Sequence, residues 1–491
     1  MCYALLFVII SFLLHPSVSS PADSASPPVR RKVVVIGGGI AGAATASFLG
    51  DYGDIDVTVV EGNSHLGGRV FSTAWTPEIG ASVYHDVNAY MASFVKRLNL
   101  TTALPYAGGG TMGLWNHSSH SVVFATSPGD LMTMGRSLWR YGRDALWMQR
   151  AREAMVERLL AIYPKQEEGT SYETAEEMLE DLGLAPFLTM SLTEYLASFG
   201  VRTEEQGGVL LQEMVRALCC INYGQDETIN ALAGCVALKG RGKELHGVVG
   251  GNKRIVEGLL KAHDVRTNAR ATHISRDEYT KLYKIQLSNG ESVSDVDAIV
   301  VAAPWETANL TFHGMPADFS PPQQPSYVTT HVTFVAGVIN ATYFDADTGA
   351  DDYHTMLIRV DRGGPFRSLG KTRHFHANQS VYKIFSDNKV HDEYLRHVFS
   401  DVVEVYRFTW QGAYPFLAPL KKTSEPPAHF FSLGFNIFHV SALEYAVSTM
   451  ETQSIAARNV ALLVRREFLR HNRTIIPPRP KTWWRWWNNE L

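Results

Sequence analysis

The chain of 491 residues contains few cysteines and few charged residues. Its four cysteines, Cys2, Cys219, Cys220 and Cys235, are too few for a disulfide framework and lack the spacing of a metal site. Cys219 and Cys220 lie in an apolar stretch, which predicts two small core residues. Charged residues make up 19% of the chain, below the usual value of about 25%. With 45% hydrophobic residues, the chain has ample material for a large core and an apolar cavity.

The sequence also lacks a dominant charge. Its 45 basic and 49 acidic residues give a net charge of −4, and no long run of Lys and Arg occurs. This balance argues against a protein that wraps nucleic acid.

Beyond the first residues, no stretch approaches about 18 consecutive apolar residues, the length that predicts a transmembrane helix. Residues 3–14 are apolar except for Ser11, and small residues follow, with cleavage positions after Ser19 or Ala22. This pattern predicts a signal peptide over residues 1–22. Six acceptor sequons support a glycosylated protein, soluble in the lumen of the secretory pathway. They lie at Asn99, Asn116, Asn309, Asn340, Asn378 and Asn472.

A dinucleotide-binding motif follows the Pro- and Ser-rich joint. Residues 33–36 predict a buried parallel strand that runs into GGGIAG, then a helix, then a second strand at residues 57–60. We expect Gly37 to permit the tight turn, Gly39 to let the backbone approach a pyrophosphate, and Gly42 to allow close helix packing. Glu61 is placed to accept hydrogen bonds from the adenosine ribose; the alternative is a solvated carboxylate at a strand end.

A second glycine motif, Gly67-Gly68-Arg69, distinguishes FAD from NAD as the cofactor. It resembles the second glycine motif of the flavin amine-oxidase superfamily, where a guanidinium and backbone amides meet the pyrophosphate from the other side. Since a nicotinamide enzyme has no use for this motif, the sequence favours FAD.

The rest of the chain divides into helical and strand-rich parts. Residues 131–224 have helical periodicity, with Ser191 and Glu194 as a capping box. Residues 271–303 alternate in hydrophobicity around an Asn289-Gly290 turn, residues 312–416 suggest an antiparallel sheet, and residues 449–468 predict a last helix. We therefore predict an α/β fold, a GR2-type flavoprotein in which a Rossmann-like FAD-binding domain is interleaved with a substrate domain of antiparallel sheet plus helices.

The predicted boundaries follow these changes of pattern. They are 1–22 for the signal peptide, 30–125, 246–310 and 426–470 for the FAD-binding domain, 126–245 for the helical part of the substrate domain, 311–425 for its sheet, and 471–491 for the tail.

Over residues 33–463 the chain resembles the prenylcysteine oxidases, also called prenylcysteine or farnesylcysteine lyases. The resemblance rests on GASVYHDVN (80–88), WRYG (139–142), INYGQ (221–225), VVGGNKRIVEGLL (248–260) and EYAVSTME (444–451). It implies oxidation of a thioether: FAD takes hydride from the allylic carbon, water adds, and the hemithioacetal gives cysteine and an isoprenoid aldehyde. Molecular oxygen then reoxidises the flavin to give hydrogen peroxide. The protein would need an apolar slot for about 15 to 20 carbons and a polar mouth for the amino acid.

The same resemblance and residue chemistry nominate site residues. His85 suits a base that activates water, or a hydrogen-bonded structural histidine. Tyr223 would line the cavity, or end a helix by packing. Gly80 borders the flavin, Glu444 resembles a carboxylate near the ribityl chain, and a helix starting at Met450 and Glu451 would aim its amides at the pyrimidine ring.

A turn at residues 250–252 is predicted to lead into a helix that faces the cofactor or the substrate. Lys253 at the start of this helix would hold a water near the flavin, or be solvated.

The tail, TWWRWWNNEL, carries four tryptophans that suit a membrane or lipoprotein interface, or a disordered or docked end. As partners we expect a prenylcysteine and molecular oxygen, with peripheral membrane or lipoprotein association, no nucleic acid and no obligate protein partner. The resemblance places degradation of prenylated proteins in the lysosome or vacuole, with secretion as the alternative.

Two other functions fit the same fold. Ala81, Asp86 and Ala442 replace residues common in the family, which leaves an FAD oxidase of an amine or another thioether as an alternative. A secreted, non-catalytic lipid carrier is the other.

Overall fold

The computed structural model describes residues 30–72, 78–103, 111–126, 130–239, 245–322, 325–344, 356–361, 363–376, 379–421 and 429–471. The predicted signal peptide, Asn378, Asn472 and the tryptophan-rich tail lie outside the described residues.

Nineteen strands are present in this part of the chain. They are β1 (Arg31–Ile36), β2 (Ile55–Val60), β3 (Tyr84–His85), β4 (Thr102–Ala103), β5 (Met112–Asn116), β6 (Ser121–Ala125), β7 (Leu245–Val248), β8 (Asp264–Arg266), β9 (Ala271–Arg276), β10 (Tyr283–Leu287), β11 (Ser292–Val296), β12 (Ala298–Val301), β13 (Thr311–His313), β14 (Tyr327–Ile339), β15 (Met356–Arg359), β16 (Ser368–His374), β17 (Ser380–Ser386), β18 (Phe399–Pro415) and β19 (Ile437–His439).

Thirteen α-helices are described. They are α1 (Ile40–Gly50), α2 (Ala89–Arg97), α3 (Asp130–Tyr141), α4 (Asp144–Leu160), α5 (Ile162–Glu167), α6 (Ala175–Asp181), α7 (Leu192–Ser198), α8 (Arg216–Tyr223), α9 (Ala231–Lys239), α10 (Lys253–Leu260), α11 (Trp305–Ala308), α12 (Asp392–Val398) and α13 (Met450–His471).

A five-stranded parallel sheet forms the first layer. Its order is β19-β12-β1-β2-β8. The inner strands are runs of Val and Ile buried on both faces, as expected when helices cover a parallel sheet. α1 packs between this sheet and α13. The Rossmann-like unit predicted from the sequence is thereby confirmed.

A seven-stranded sheet forms the second unit, in the order β18-β14-β17-β16-β15-β5-β6. It is antiparallel except where β15 pairs with β5. β5 and β6 lie in the segment 30–125 that the sequence analysis assigns to the FAD-binding domain, yet they extend this second sheet. The chain passes repeatedly between the two sheets, so the two units are interleaved.

Two smaller sheets complete the strands. One has the order β11-β10-β9-β13 and the other β3-β7-β4. In β10, Tyr283, Ile285 and Leu287 are buried while the residues between them are exposed, as the alternation predicts. Gly290 in the following turn has φ +88°.

The helical layer spans α3 to α9. The predicted capping box is confirmed: Ser191 Oγ accepts a hydrogen bond from the Glu194 backbone N–H, and the Glu194 carboxylate accepts one from the Ser191 N–H. Cys219 and Cys235 are buried free thiols, and Cys220 is half-buried. Among the described residues, none of the helices is both long and apolar enough to span a membrane.

Candidate active site

The turn between β1 and α1 depends on two of its glycines. Gly37 has φ +115°, and a Cβ there would lie 2.9 Å from the Ala302 carbonyl oxygen. A Cβ on Gly42 would lie 1.9 Å from the Gly37 carbonyl oxygen, closer than any side chain allows. The turn and the close packing of α1 on β1 therefore require glycine at both positions.

The second glycine motif lies directly beside the first. Gly39 forms a bridge with Gly67, whose N–H donates to the Gly38 carbonyl at 2.9 Å. A Cβ on Gly39 would point towards Gly67 and Gly68 at ordinary contact distances of 3.6–3.8 Å. The two turns thus present bare backbone to each other, which suits a pyrophosphate bound between them.

Glu61 lies at the end of β2 with its carboxylate against the first turn. One oxygen accepts the Gly38 N–H at 2.8 Å, and the other accepts two hydrogen bonds from Asn63. The side chain is buried. These bonds fix the carboxylate where the sequence predicts a ribose contact, and the ribose contact itself stays a prediction.

A cavity of about 80 Å³ opens next to these turns. Gln453, in the first turns of α13, lines it and is buried, yet among the described residues neither its amide nitrogen nor its oxygen has a hydrogen-bond partner. The indole N–H of Trp410, which lines the same cavity, is likewise buried without a partner there. Unpaired buried polar groups of this kind indicate a missing ligand. Together with the bare glycine backbones, they fit a bound dinucleotide.

Arg69 and Glu444 connect the second glycine motif to the segment before α13. The partly exposed guanidinium forms an ion pair with the buried Glu444 carboxylate, which also accepts hydrogen bonds from Tyr327 Oη (2.7 Å) and Ser448 Oγ (3.1 Å). Burial alone would lower the Arg69 pKa, but Glu444, together with Tyr327 and Tyr414, outweighs burial and raises that pKa. Arg69 therefore stays charged where it lines the smaller cavity.

A second cavity, of about 210 Å³, adjoins the first. Seven residues line both cavities, so the two lie side by side. The shared residues are Gly80, Ala81, Phe385, Tyr414, Ser448, Thr449 and Met450.

Gly80 and Tyr223 both line the larger cavity, and contact of Gly80 with the flavin stays a prediction. A Cβ on Gly80 would lie 2.0 Å from the Arg69 carbonyl oxygen. Only glycine therefore fits at this position of the cavity wall. Tyr223 lines the larger cavity, contacts Tyr414 edge-on, and ends α8 before Gly224, whose φ is +63°. It thus combines the two roles that the sequence left open, cavity wall and helix-ending packing.

Glu78 and Lys383 also line the larger cavity, and sequence reasoning missed both. Burial raises the pKa of the Glu78 carboxyl and lowers the pKa of the Lys383 ammonium, and the charge of each group only partly offsets the effect on the other. A carboxylate and an ammonium in one apolar cavity are a strong functional signal. Neither residue lies in a recognisable motif. They are also far apart in the sequence, so the sequence does not show that they line the same cavity.

His85 is not brought to either cavity. It is buried at the end of β3, before α2, where its Nδ1 accepts the Val87 backbone N–H at 3.1 Å and its backbone N–H donates to Asn88 Oδ1 at 2.7 Å. The geometry favours the structural alternative, and a catalytic role stays a prediction.

Met450 and Glu451 begin α13 but face different surroundings. Met450 lines both cavities. The Glu451 carboxylate instead accepts the N–H groups of Tyr90 and Met91 at the start of α2, together with Tyr163 Oη at 2.6 Å. The Glu451 side chain thus holds α2 against α13, and only the Glu451 backbone can make the predicted cofactor contact.

The turn at residues 250–252 leads into α10, but none of its residues lines either cavity, and a role facing the cofactor or the substrate stays a prediction. Gly250 and Gly251 have φ values of +83° and +101°. The side-chain amide of Asn252 donates to the Ala81 carbonyl at 3.1 Å and accepts the Val248 N–H at 2.9 Å. Lys253 forms an ion pair with Glu257 along α10, which agrees with the solvated alternative for that lysine.

Comparison with known proteins agrees with this architecture. A family model described as Prenylcysteine lyase matches residues 124–476, and one described as NAD(P)-binding Rossmann-like domain matches residues 35–98. The chain is 29% identical to a farnesylcysteine lyase of Arabidopsis thaliana, covering 95% of this chain and 94% of that protein. It is also 29% identical to a protein of Bos taurus named prenylcysteine oxidase 1-like, over 88% of this chain and 90% of the relative.

Among solved structures, wild-type putrescine oxidase bound to putrescine superposes with a TM-score of 0.58 at 13% identity, over 90% of this chain and 100% of that chain. At this identity the likeness shows the shared fold alone.

Proposed function

The chain belongs to the prenylcysteine lyase family, and we propose that it is an FAD-dependent thioether oxidase that cleaves prenylcysteine. One observation carries this proposal: the cavity beside the two glycine turns adjoins a second cavity that has an apolar side and two opposite charges. The residues around the first cavity suit part of a dinucleotide, and the second cavity suits a ligand that is part hydrocarbon and part amino acid.

The reaction that fits these parts is cleavage of the allylic carbon–sulfur bond. Prenylcysteine, water and molecular oxygen give cysteine, the isoprenoid aldehyde and hydrogen peroxide, which balances in atoms and electrons. When bound, FAD supplies the two-electron acceptor for this oxidation.

The chain's own residues supply binding, orientation and electrostatics. Gly39, Gly67 and Gly68 offer backbone to the pyrophosphate, with Arg69 as the nearby positive charge. The N-terminal end of α13, at Met450, places the positive end of a 22-residue helix against the shared wall, where it stabilises negative charge.

The apolar side of the larger cavity holds the prenyl chain. Its wall combines aliphatic residues from α8 and α9 with two aromatic rings from the seven-stranded sheet. These residues are Ile221, Val236, Ala237, Phe385 and Tyr414. Burying the isoprenoid against such a wall stabilises the complex by about 25 cal/mol per Å² of apolar surface removed from water.

An amine is the second candidate substrate class. The buried Glu78 carboxylate favours it, because it is an anionic partner for an ammonium group inside the cavity. The structural likeness to putrescine oxidase shows a shared fold and gives no information about the substrate.

A substrate panel on the FAD-loaded protein decides between these classes. Farnesylcysteine in air should yield peroxide, free cysteine thiol and farnesal in equal amounts. S-dodecylcysteine is the matched control, because it keeps the apolar length but lacks the allylic carbon, and it should bind without turnover. Turnover of putrescine or benzylamine in preference to farnesylcysteine would overturn the proposal in favour of an amine oxidase.

We also propose that the protein acts in the lumen of the secretory pathway, as a glycoprotein of the lysosome or vacuole. The leader-like first residues and the six sequons support this. Asn99 and Asn309 are exposed. Removal of N-glycans should increase the electrophoretic mobility of protein expressed in a eukaryotic host. Equal mobility with and without the glycosidase would contradict luminal processing.

Peripheral association with a lipid surface completes the proposal, because a prenylated substrate partitions into lipid. Helix α3 supports it with a reversed pattern: Thr133 and Ser137 are buried, whereas Leu131, Met132 and Trp139 are exposed, Trp139 by 87%. Arg136 is exposed on the same helix. A helix that turns its apolar face outwards, with a nearby cation, suits the interface of an anionic membrane.

A further inference from the structure

The charged end of the larger cavity is built from two segments about 300 residues apart in the chain. Lys383 comes from β17, Glu78 from the segment after the second glycine motif, and Ser82 from the backbone that follows it. All three line the same cavity whose other wall is apolar. The cavity therefore has distinct polar and apolar sides.

Lys383 is held deep in this cavity. It is 8% exposed, its Nζ donates to Ser82 Oγ at 3.1 Å, and it lies 4.3 Å from the centroid of the Phe385 ring. A single hydroxyl and an aromatic face replace the water that an ammonium normally has around it. Its remaining N–H donors are available to an anion in the cavity.

Glu78 is held by the turn at residues 250–252. One of its oxygens accepts the Asn252 N–H at 2.5 Å, and Asn252 is itself anchored to Val248 and Ala81. The other oxygen, Oε2, is buried without a hydrogen-bond partner among the described residues. A carboxylate fixed on one side and unsatisfied on the other is prepared for a donor from the cavity.

The two charges do not satisfy each other. In the part of the chain that the structure describes, no direct ion pair joins the Glu78 carboxylate to the Lys383 ammonium. Two buried charges held apart are costly unless a ligand pairs with them. The pKa shifts agree: burial raises the pKa of Glu78 and lowers that of Lys383, as expected for two groups that lack full partners.

We propose that Glu78 binds the α-ammonium group, and Lys383 with Ser82 binds the α-carboxylate, of the cysteine part of the substrate. This assignment rests on the proposed function and adds the residues that recognise the amino-acid part of the substrate. A free amino acid is the ligand that carries both charges on one carbon, so it pairs with both groups at once. The site consequently selects free prenylcysteine over the same residue inside a peptide, where neither charge exists.

The test compares variants with substrates that each lack one charge. The substrates are farnesylcysteine, its methyl ester, which lacks the carboxylate, and N-acetylfarnesylcysteine, which lacks the ammonium. Lys383→Met should raise KM for farnesylcysteine about tenfold or more while changing KM for the methyl ester little, because that ester has already lost the Lys383 contact. Glu78→Gln should likewise raise KM for farnesylcysteine about tenfold or more while changing KM for N-acetylfarnesylcysteine little, because that compound has already lost the Glu78 contact. Lys284→Met, an exposed lysine on β10, is the control.

Two readouts keep the proposal separate from the proposed function. Turnover of farnesylcysteine by the wild-type holoprotein tests the function itself. Calorimetric binding of the same three compounds tests the inference even without turnover, and FAD content with the melting temperature confirms that each variant folds. Equal weakening of all three compounds by Lys383→Met, or unchanged binding of all three, would overturn the assignment.

Discussion

Arg69, whose side chain is 30% exposed, forms an ion pair with the fully buried Glu444, 375 positions later in the chain. Arg69 ends the second glycine motif, and Glu444 precedes α13. The pair therefore joins the two segments that enclose the smaller cavity, and it keeps a positive charge in the wall of that cavity. We expect both folding and cofactor binding to depend on this contact.

Removal of Glu444 should be costly for this reason. Glu444→Ala leaves the partly exposed Arg69 without its counter-charge and Tyr327 without its acceptor, and we expect the free energy of unfolding to fall by about 2 kcal/mol or more. Denaturant titration of the FAD-free protein measures this free energy of unfolding. Asp56→Ala breaks the exposed Arg30–Asp56 pair and should cost less than about 1 kcal/mol. Similar losses in the two variants would show that the Arg69–Glu444 pair is not structurally important.

Substitutions of Gly39 and Gly42 in the first motif should have different effects on folding and on FAD binding. Gly39→Ala finds ordinary contacts of 3.6 Å or more with the protein, so the apoprotein should fold, but its methyl group occupies the space between the glycine turns. We expect FAD affinity to fall about tenfold or more, or about 1.4 kcal/mol. Gly42→Ala places a methyl group 1.9 Å from a backbone oxygen and should prevent folding. Circular dichroism and flavin fluorescence separate these outcomes, and normal FAD affinity in Gly39→Ala would contradict the pyrophosphate assignment.

Glu451 should make stability depend on pH. Burial raises the pKa of its carboxyl from the ordinary 4.5 to about 7, despite the hydrogen bonds that it accepts from Tyr163, Tyr90 and Met91. The folded protein therefore holds this proton more tightly than the unfolded chain does. The resulting stability is fully present below about pH 4.5 and is lost as the pH rises through about 7.

The measurement is the free energy of unfolding against pH for the wild type and Glu451→Gln. Between pH 5 and 8 the difference between them should change by roughly 3 kcal/mol, at about 1.4 kcal/mol per pKa unit, with the wild type losing stability. The exposed control Glu278→Gln should run parallel to the wild type. Parallel curves for Glu451→Gln would show that Glu451 is not the titrating group.

The outward apolar face of α3 should bind vesicles. The double variant Leu131→Ser, Trp139→Ser should reduce binding to phosphatidylcholine–phosphatidylserine vesicles about tenfold or more in co-sedimentation. Tyr279→Ser is the matched control, because Tyr279 is 93% exposed but lies in the turn between β9 and β10. A chain ending at residue 471 tests the tryptophan-rich tail. Loss of binding on truncation alone would assign the interface to the tail rather than to α3.

Local signals made the cofactor unit predictable. The turn that needs Gly37 and Gly42 is specified by adjacent residues, and the strand before it ends in a continuous apolar run, so sequence and structure agree there. The capping box at Ser191 and Glu194 is predictable for the same reason, because both of its hydrogen bonds lie within one helical turn.

The charged end of the cavity was not predictable in the same way. Lys383 lies in β17, where its neighbours form an almost fully buried apolar strand, and it carries no local mark of function. Its relation to Glu78 arises only when the seven-stranded sheet packs against the loop after the second glycine motif. His85 shows the opposite case: a chemically suitable residue near the cofactor motif is used to hold the turn before α2.

The absorbance spectrum of the purified protein, recorded before and after anaerobic addition of farnesylcysteine, tests whether this flavoprotein oxidises a prenyl thioether. We expect a yellow protein whose flavin band is lost on addition of farnesylcysteine and returns when air is admitted, with no change on addition of S-dodecylcysteine. A yellow protein whose band is unchanged by farnesylcysteine but lost with an amine, or a colourless protein that binds no FAD, would contradict it.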